Sequence, residues 1–165
     1  MYQASRNPAY IAENILNREF EAERPNEKWV TDVTEFKYGI SFDCVHKLYL
    51  SAILDLCDRR PVAYVISERN NNKLVFDTFE KAVAANPDAH PLFHSDRGFQ
   101  YTTREFHHKL ENAGMIQSMS RVAHCTDNGP MEGFWGILKR EMYYCKKYHT
   151  KEELVQAITE YMDYY

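Results

Sequence analysis

The chain has 165 residues, 44% of them hydrophobic, which suits one folded domain with a sizeable core. It contains no apolar run of about 18 residues, and Met1–Arg6 has no apolar signal region, so a membrane span and a secretory leader are not expected. The net charge of −4 hides a segmental pattern: residues 97–147 carry 8 basic and 5 acidic side chains, while both flanking segments are net acidic. Cys44, Cys57, Cys125 and Cys145 are scattered without a CxxC pair, which favours reduced thiols in the cytoplasm over disulfides or zinc.

Residues 9–20 read as a short helix with Ile11, Ile15 and Leu16 on one side, and the charged stretch 21–28, with Pro25 inside, reads as a linker. Residues 29–37 alternate as a strand, with Val30, Asp32, Thr34 and Phe36 on one face. A loop around Gly39, a mostly apolar strand over 47–56, a turn at 57–60 and a strand over 61–67 complete an antiparallel meander.

The period then changes. Residues 72–85 are helical, with Val75, Phe76, Phe79, Ala82 and Val83 as the apolar stripe, and Pro87 ends the helix. A buried strand over 91–95 stops at Asp96. Thr102-Thr103-Arg104-Glu105 reads as a capping box, and Gly114 as the stop of the helix it opens. Residues 115–120 form a fifth strand, residues 129–144 a long helix, and Thr150 caps a last one. The order β-β-β-α-β-α-β-α-α implies an α/β fold with a mixed five-stranded sheet and helices on both faces.

Three carboxylates stand out. Asp32 lies mid-strand beside Val30 and Phe36, a costly place for an acid unless it is paired or metal-bound, so function is favoured there. Asp96 ends the fourth strand; before Arg97-Gly98 it is equally a turn former. Glu132 follows Asp96 after 35 intervening residues, and taken alone it simply complements the helix dipole in the first turn. If strands one and four are neighbours, Asp32 and Asp96 meet. A set of hard oxygen ligands of this kind suits divalent ions acting on phosphodiesters.

Glu132, Gly136 and Lys139 share a helical face, which brings Lys139 alongside Glu132; a solvated lysine is the equal alternative. Gly133 and Gly136 suggest close approach of a backbone or substrate. His94 shares a strand face with Asp96 and either orients a ligand or is structural. Asp127 and Asn128 read as N-caps rather than ligands. Zinc at His107-His108 or His124-Cys125 is disfavoured, because adjacent histidines on a helix point apart.

Several strings occur in order: Trp29-Val30-Thr31-Asp32-Val33-Thr34, His94-Ser95-Asp96-Arg97-Gly98-Phe99-Gln100-Tyr101, Ser118-Met119-Ser120-Arg121, and Asp127-Asn128-Gly129-Pro130-Met131-Glu132-Gly133-Phe134-Trp135 with Lys139 and Glu141 after. Together they resemble the integrase-core region of bacterial insertion-sequence transposases of the two-reading-frame kind, whose core is similar to retroviral integrases. The resemblance runs from about residue 9 to the end. It implies a ribonuclease-H-like fold and a DDE triad at Asp32, Asp96 and Glu132. It also implies Mg²⁺ or Mn²⁺, as two ions, nicking that frees a 3′-OH at an element's end, and strand transfer by that hydroxyl. Lys139 matches the family's basic position for holding the DNA end. Arg97, Arg121 and Arg140 are the other candidate DNA contacts, with His94 and Asn128 supporting.

The implied partners are terminal-repeat and target DNA and further copies of the chain in a synapse, in a bacterial cytoplasm at the nucleoid. Residues 1–28 are expected as an N-terminal helix and linker and 29–165 as the catalytic core, a fragment without the family's upstream helix-turn-helix region and its C-terminal end. Two competing readings keep the fold: a ribonuclease-H-like nuclease, and a non-catalytic DNA-binding or assembly module.

Overall fold

A computed structural model describes residues 9–122 and 124–165. The five strands are β1 (Lys28–Gly39), β2 (Val45–Asp55), β3 (Pro61–Ser67), β4 (Leu92–Ser95) and β5 (Ile116–Met119). The four helices are α1 (Asn72–Ala85), α2 (Arg104–Asn112), α3 (Gly129–Met142) and α4 (Lys151–Tyr164). A 3₁₀ turn, Cys125–Asn128, leads into α3.

The strand order is β3-β2-β1-β4-β5, antiparallel over the β1–β2–β3 meander and parallel over β1–β4–β5. Alternation along β1 sends its side chains to two separate cores. Val30 and Phe36 join Leu48, Leu50, Met131, Leu138, Leu154 and Ile158 beneath α3 and α4. Trp29 joins Val75, Phe79, Phe93, Phe106 and Leu110 beneath α1 and α2. The sheet is thus covered on both faces, as the pattern of elements predicts. Each fully buried Leu, Ile or Phe contributes roughly 1.5–3 kcal/mol relative to exposure.

Local chemistry sets the helix ends. Asn71 Oδ1 accepts from Leu74 N at 3.1 Å to start α1. Thr150 Oγ1 accepts from Glu153 N at 3.2 Å to start α4. The cap of α2 is Thr103, which accepts from Phe106 N at 3.1 Å, one residue later than the capping box predicts. Gly114 ends that region with φ +71°, where a Cβ would lie 2.7 Å from His90 Nδ1.

The expected helix over 9–20 is absent. The described part of this segment is an irregular strap along the outer edge of β5, and residues 1–8 of the expected helix-and-linker lie outside the described residues. Its hydrogen bonds explain the difference: Met119 N donates to Glu13 O at 3.1 Å, and Ile15 N and Leu16 N both donate to Ser118 Oγ. The strap meets the backbone demand of an edge strand. Leu16 is buried in the α3/α4 core, whereas Ile11 and Ile15 stay about half exposed, at 52% and 51%. Asn17 and Arg18 are both left-handed, at φ 47° and 60°, which no helix tolerates.

Candidate active site

The parallel pairing of β1 with β4 positions the first two carboxylates. Lys28 stands opposite Leu92, Trp29 opposite Phe93 and Val30 opposite His94, and just past that pairing Asp96 lies beside Asp32, close enough for the two carboxyls to hydrogen-bond. Asp32 is largely buried, and Trp135 Nε1 of α3 donates to its Oδ2 at 3.1 Å. Burial first, and then the charge of neighbouring Asp96, push the Asp32 carboxyl from its ordinary 3.8 up to about 7. Hydrogen bonds from Val33 N and Trp135 oppose that rise.

Asp96 lies just past the end of β4. Its Oδ1 accepts from Gly98 N at 2.7 Å. A Cβ on residue 98 would sit 2.9 Å from that oxygen and 3.2 Å from Gln100 Oε1, so glycine permits the close approach. Tyr101 is buried beside both acids; burial, then the charges of Asp32 and Asp96, drive its pKa upward.

Glu132 reaches the same place from the other side. It is exposed in the first turn of α3 and lines, with Asp32 and Asp96, one open cleft of about 420 Å³. Two residues ahead of α3 tie that helix to the sheet. Asn128, buried at the N-cap position, makes no capping bond; its Nδ2 donates instead to Thr31 O at 3.1 Å. Its Oδ1 is buried in the cleft lining without a partner among the described residues. Asp127 is not a cap either. Its fully buried carboxylate accepts from Arg121 N, Nε and Nη2, each at 2.9 Å, from Arg18 Nε at 2.8 Å and from Asn14 Nδ2 at 3.2 Å. The paired guanidiniums, Arg121 first, hold that carboxyl well below the usual carboxylate range.

The other sequence-predicted residues fall into two groups. Arg97 and Arg121 line the cleft, Arg97 being anchored through Nε to Ser120 O at 3.0 Å. His94 is fully buried under the cleft, with Nδ1 2.8 Å from Ser118 Oγ and Nε2 3.1 Å from Ser120 Oγ. Burial lowers its pKa to about 4, so it is neutral at physiological pH and crosslinks β4 to β5. Lys139 does not line the cleft; its Nζ donates to Glu35 O at 2.9 Å and sits 5.1 Å above the Phe36 ring. Arg140 is exposed one residue on. Gly133 and Gly136 face open space, with nothing among the described residues within 4 Å of an added Cβ, so no described backbone packs on them.

Trp135 as a partner of Asp32 escaped sequence reasoning, although it stands three residues after Glu132 on the same helix. So did the Asp127–Arg121–Arg18 cluster, whose members are scattered along the chain.

The sequence matches the integrase core domain family over residues 22–125, and again over 132–165. The chain belongs to the integrase core domain family. This integrase core is 44% identical over 155 residues to a protein of Escherichia coli (strain K12) named "Putative transposase InsK for insertion sequence element IS150", covering 93% of the chain and 53% of that protein. It is 43% identical to an uncharacterised transposase-like protein of Haemophilus influenzae, covering 94% of the chain and 70% of the relative. The chain thus spans about half the length of the first of these relatives. Among solved structures it is similar to the HTLV-2 integrase catalytic core domain in complex with magnesium, in its dimeric form, at TM-score 0.55 and 20% identity over 70% of this chain and 69% of that one. The integrase core described here therefore has the ribonuclease-H-like fold, with its mixed five-stranded sheet covered on both faces.

The donor set fits a hard divalent cation. Asp32 and Asp96 present carboxylate oxygens within reach of each other, and the unpartnered Asn128 Oδ1 adds a neutral oxygen to the lining. Among the described residues, no three His, Cys, Asp or Glu side chains are gathered closely enough to hold an ion unaided. Asp32 and Asp96 are thus a built pair, and Glu132 stands apart on the cleft wall.

Proposed function

We propose that this chain is the catalytic core of an insertion-sequence transposase, which nicks element ends and transfers the freed 3′-OH to target DNA. The observation that carries this reading is the register of β1 on β4, which sets Asp32 against Asp96 on the wall of a cleft that Glu132 also lines. Asp32, Asp96 and Glu132 would hold Mg²⁺ or Mn²⁺, two ions in the working complex. When bound, such ions lower the pKa of the attacking hydroxyl and offset charge on the leaving oxygen.

The chain's own residues have separate tasks. Trp135 Nε1 fixes the Asp32 carboxyl, and Gly98 N fixes that of Asp96. Arg97 and Arg121 line the cleft, where their guanidiniums would neutralise the scissile phosphate. In nicking, a water oxygen bonds to phosphorus while the bond to the 3′ oxygen breaks; the water's proton is lost and the 3′ oxygen is protonated. In transfer, that 3′ hydroxyl loses its proton as its oxygen bonds to a target phosphorus, and a target 3′ oxygen leaves and is protonated. Arg140 and Lys139 would guide the DNA along α3, Lys139 only after giving up Glu35 O.

The partners would be terminal-repeat and target DNA and further copies of the chain, because two ends must be joined together. The test is 3′-end nicking and joining by the full-length protein on terminal-repeat DNA with Mg²⁺ or Mn²⁺. Activity that disappears in Asp96→Asn and in Glu132→Gln is expected. Undiminished activity in either variant would sink the assignment, and cleavage of an RNA–DNA hybrid without joining would make the chain a nuclease instead.

A further inference from the structure

Asp127 holds more positive charge than it can neutralise. One carboxylate is clasped by two guanidiniums, and the fourth member of the cluster, Asn14, is neutral. Arg18 Nε and Arg121 Nη2 both lie within 2.9 Å of the same oxygen, Oδ1, so the two cationic groups are held close together. The carboxylate is completely buried, yet the arginine side chains remain 45% and 46% exposed. One surplus positive charge therefore faces solvent.

The anchoring leaves the ligand-binding ends free. Arg18 is tied through Nε alone, and its Nη1 and Nη2 have no partner among the described residues. Arg121 spends Nε and Nη2 on Asp127, its Nη1 has no partner among the described residues, and it lines the cleft. Arg97 repeats the pattern, with Nε on Ser120 O and its terminal nitrogens without a partner among the described residues. A guanidinium pinned through Nε is oriented in advance, so it loses little side-chain entropy when its Nη groups meet a phosphate.

Arg18 is brought there by unusual backbone. Asn17 and Arg18 are consecutive non-glycine residues in the left-handed region, at φ 47° and 60°. Asn14 holds that turn: its Oδ1 accepts from Asn17 N at 3.0 Å, and its Nδ2 donates to Asp127. Two such residues cost on the order of 1 kcal/mol each, and the cluster on Asp127 offsets that cost. The resulting turn aims Arg18 from the strap at the loop leading into α3.

We propose that Arg18 and Arg121, clasped by Asp127, form a phosphate-binding fork on the cleft rim, so that the N-terminal strap takes part in gripping DNA. The ligand is a phosphodiester of the DNA backbone, read by charge and not by base. This rests on the reading of the cleft as a site for DNA. Asp127 is a positioning residue, and Arg18 is the new contact.

The test is binding of a short linear DNA duplex of arbitrary sequence by the 165-residue chain, followed by fluorescence anisotropy across a salt series. Arg18→Gln is expected to weaken binding on the order of tenfold and to lower the slope of log Kd against log salt by about one. Its thermal midpoint should stay near wild type, and Arg18→Lys should recover the salt slope and part of the affinity. A folded Arg18→Gln chain with wild-type affinity and slope overturns the fork. So does a loss of affinity that follows a lowered midpoint and that Arg18→Lys does not restore. Nicking is measured on terminal-repeat DNA with the full-length protein, which separates the two ideas. A wild type that nicks and binds beside an unaltered Arg18→Gln removes only the fork; a wild type that neither binds nor nicks removes both.

Discussion

The two walls of the cleft are built differently. One wall belongs to the sheet: Asp32 on β1 and Asp96 at the end of β4 are brought together by strand register, and each carboxyl is pinned by its own donor, Trp135 or Gly98. The other wall belongs to α3, which presents Glu132 in an exposed first turn with no such donor. The sheet wall stores electrostatic cost, because two acids face each other in a half-dry place, as the raised pKa of Asp32 shows. The helix wall exposes Glu132 to solvent. What tethers it is the pair of residues just before α3, Asp127 and Asn128. The difference teaches that the Asp32–Asp96 pair is a property of strand pairing, while the third carboxylate rides on a helix joined to the sheet by core packing and by the polar contacts of Asp127 and Asn128.

The largest expected effect ignores this difference. Asp32→Asn, Asp96→Asn and Glu132→Gln should each lower nicking by the full-length protein on the order of a thousandfold or more, because the carboxylates act as a unit. Single-turnover rates measure this, and a wall whose variant keeps its rate is not part of the site.

Next comes the tether. Asp127→Ala removes five hydrogen bonds and leaves two half-exposed cations facing each other. A loss of about 3 kcal/mol in denaturant unfolding is expected, less than for a pair buried on both sides. Near-wild-type stability would mean that the helix wall is held by something else.

Asp32→Asn should act with the opposite sign on the metal-free chain. The folded state holds a proton on Asp32 up to about pH 7, and the unfolded state releases it near 3.8. Native protein therefore binds more protons between those values, and stability falls as pH rises from about 4 to about 7. Removing the acid removes that decline. The variant should gain on the order of 1–3 kcal/mol over wild type at pH 8 and close to nothing at pH 4. Equal pH profiles would erase the electrostatic contrast between the walls. The smallest effect belongs to Glu132→Gln, which should shift metal-free stability by less than about 0.5 kcal/mol, as expected for an exposed residue.

The same division explains what was legible in the sequence. Features set by local pattern were readable: β3 falls over residues 61–67 and α1 over 72–85 where its apolar stripe places it, and the meander followed by alternating units gives the mixed sheet. The meeting of Asp32 with Asp96 followed from strand order once β1 and β4 were taken as neighbours. Features set by distant partners were not readable. Ile11, Ile15 and Leu16 mimic a helical stripe, but the edge of β5 draws residues 13–16 into hydrogen bonds that no helix could make. Asp127 and Asn128 stand where caps belong, yet their side chains turn to Arg121, Arg18 and Thr31. Lys139 lies on the helix at the expected step from Glu132, but the carbonyl of Glu35 captures its ammonium.

The central claim, that Asp32 and Asp96 form the built half of a divalent-metal site, is tested most directly by manganese titration of the chain at pH 8, read as a shift in thermal midpoint. A ligand bound only by the native state raises that midpoint with concentration. Wild type and Glu132→Gln should both gain, and Asp32→Asn and Asp96→Asn should gain nothing over the same range. A manganese shift that persists undiminished in Asp32→Asn and Asp96→Asn would contradict the account.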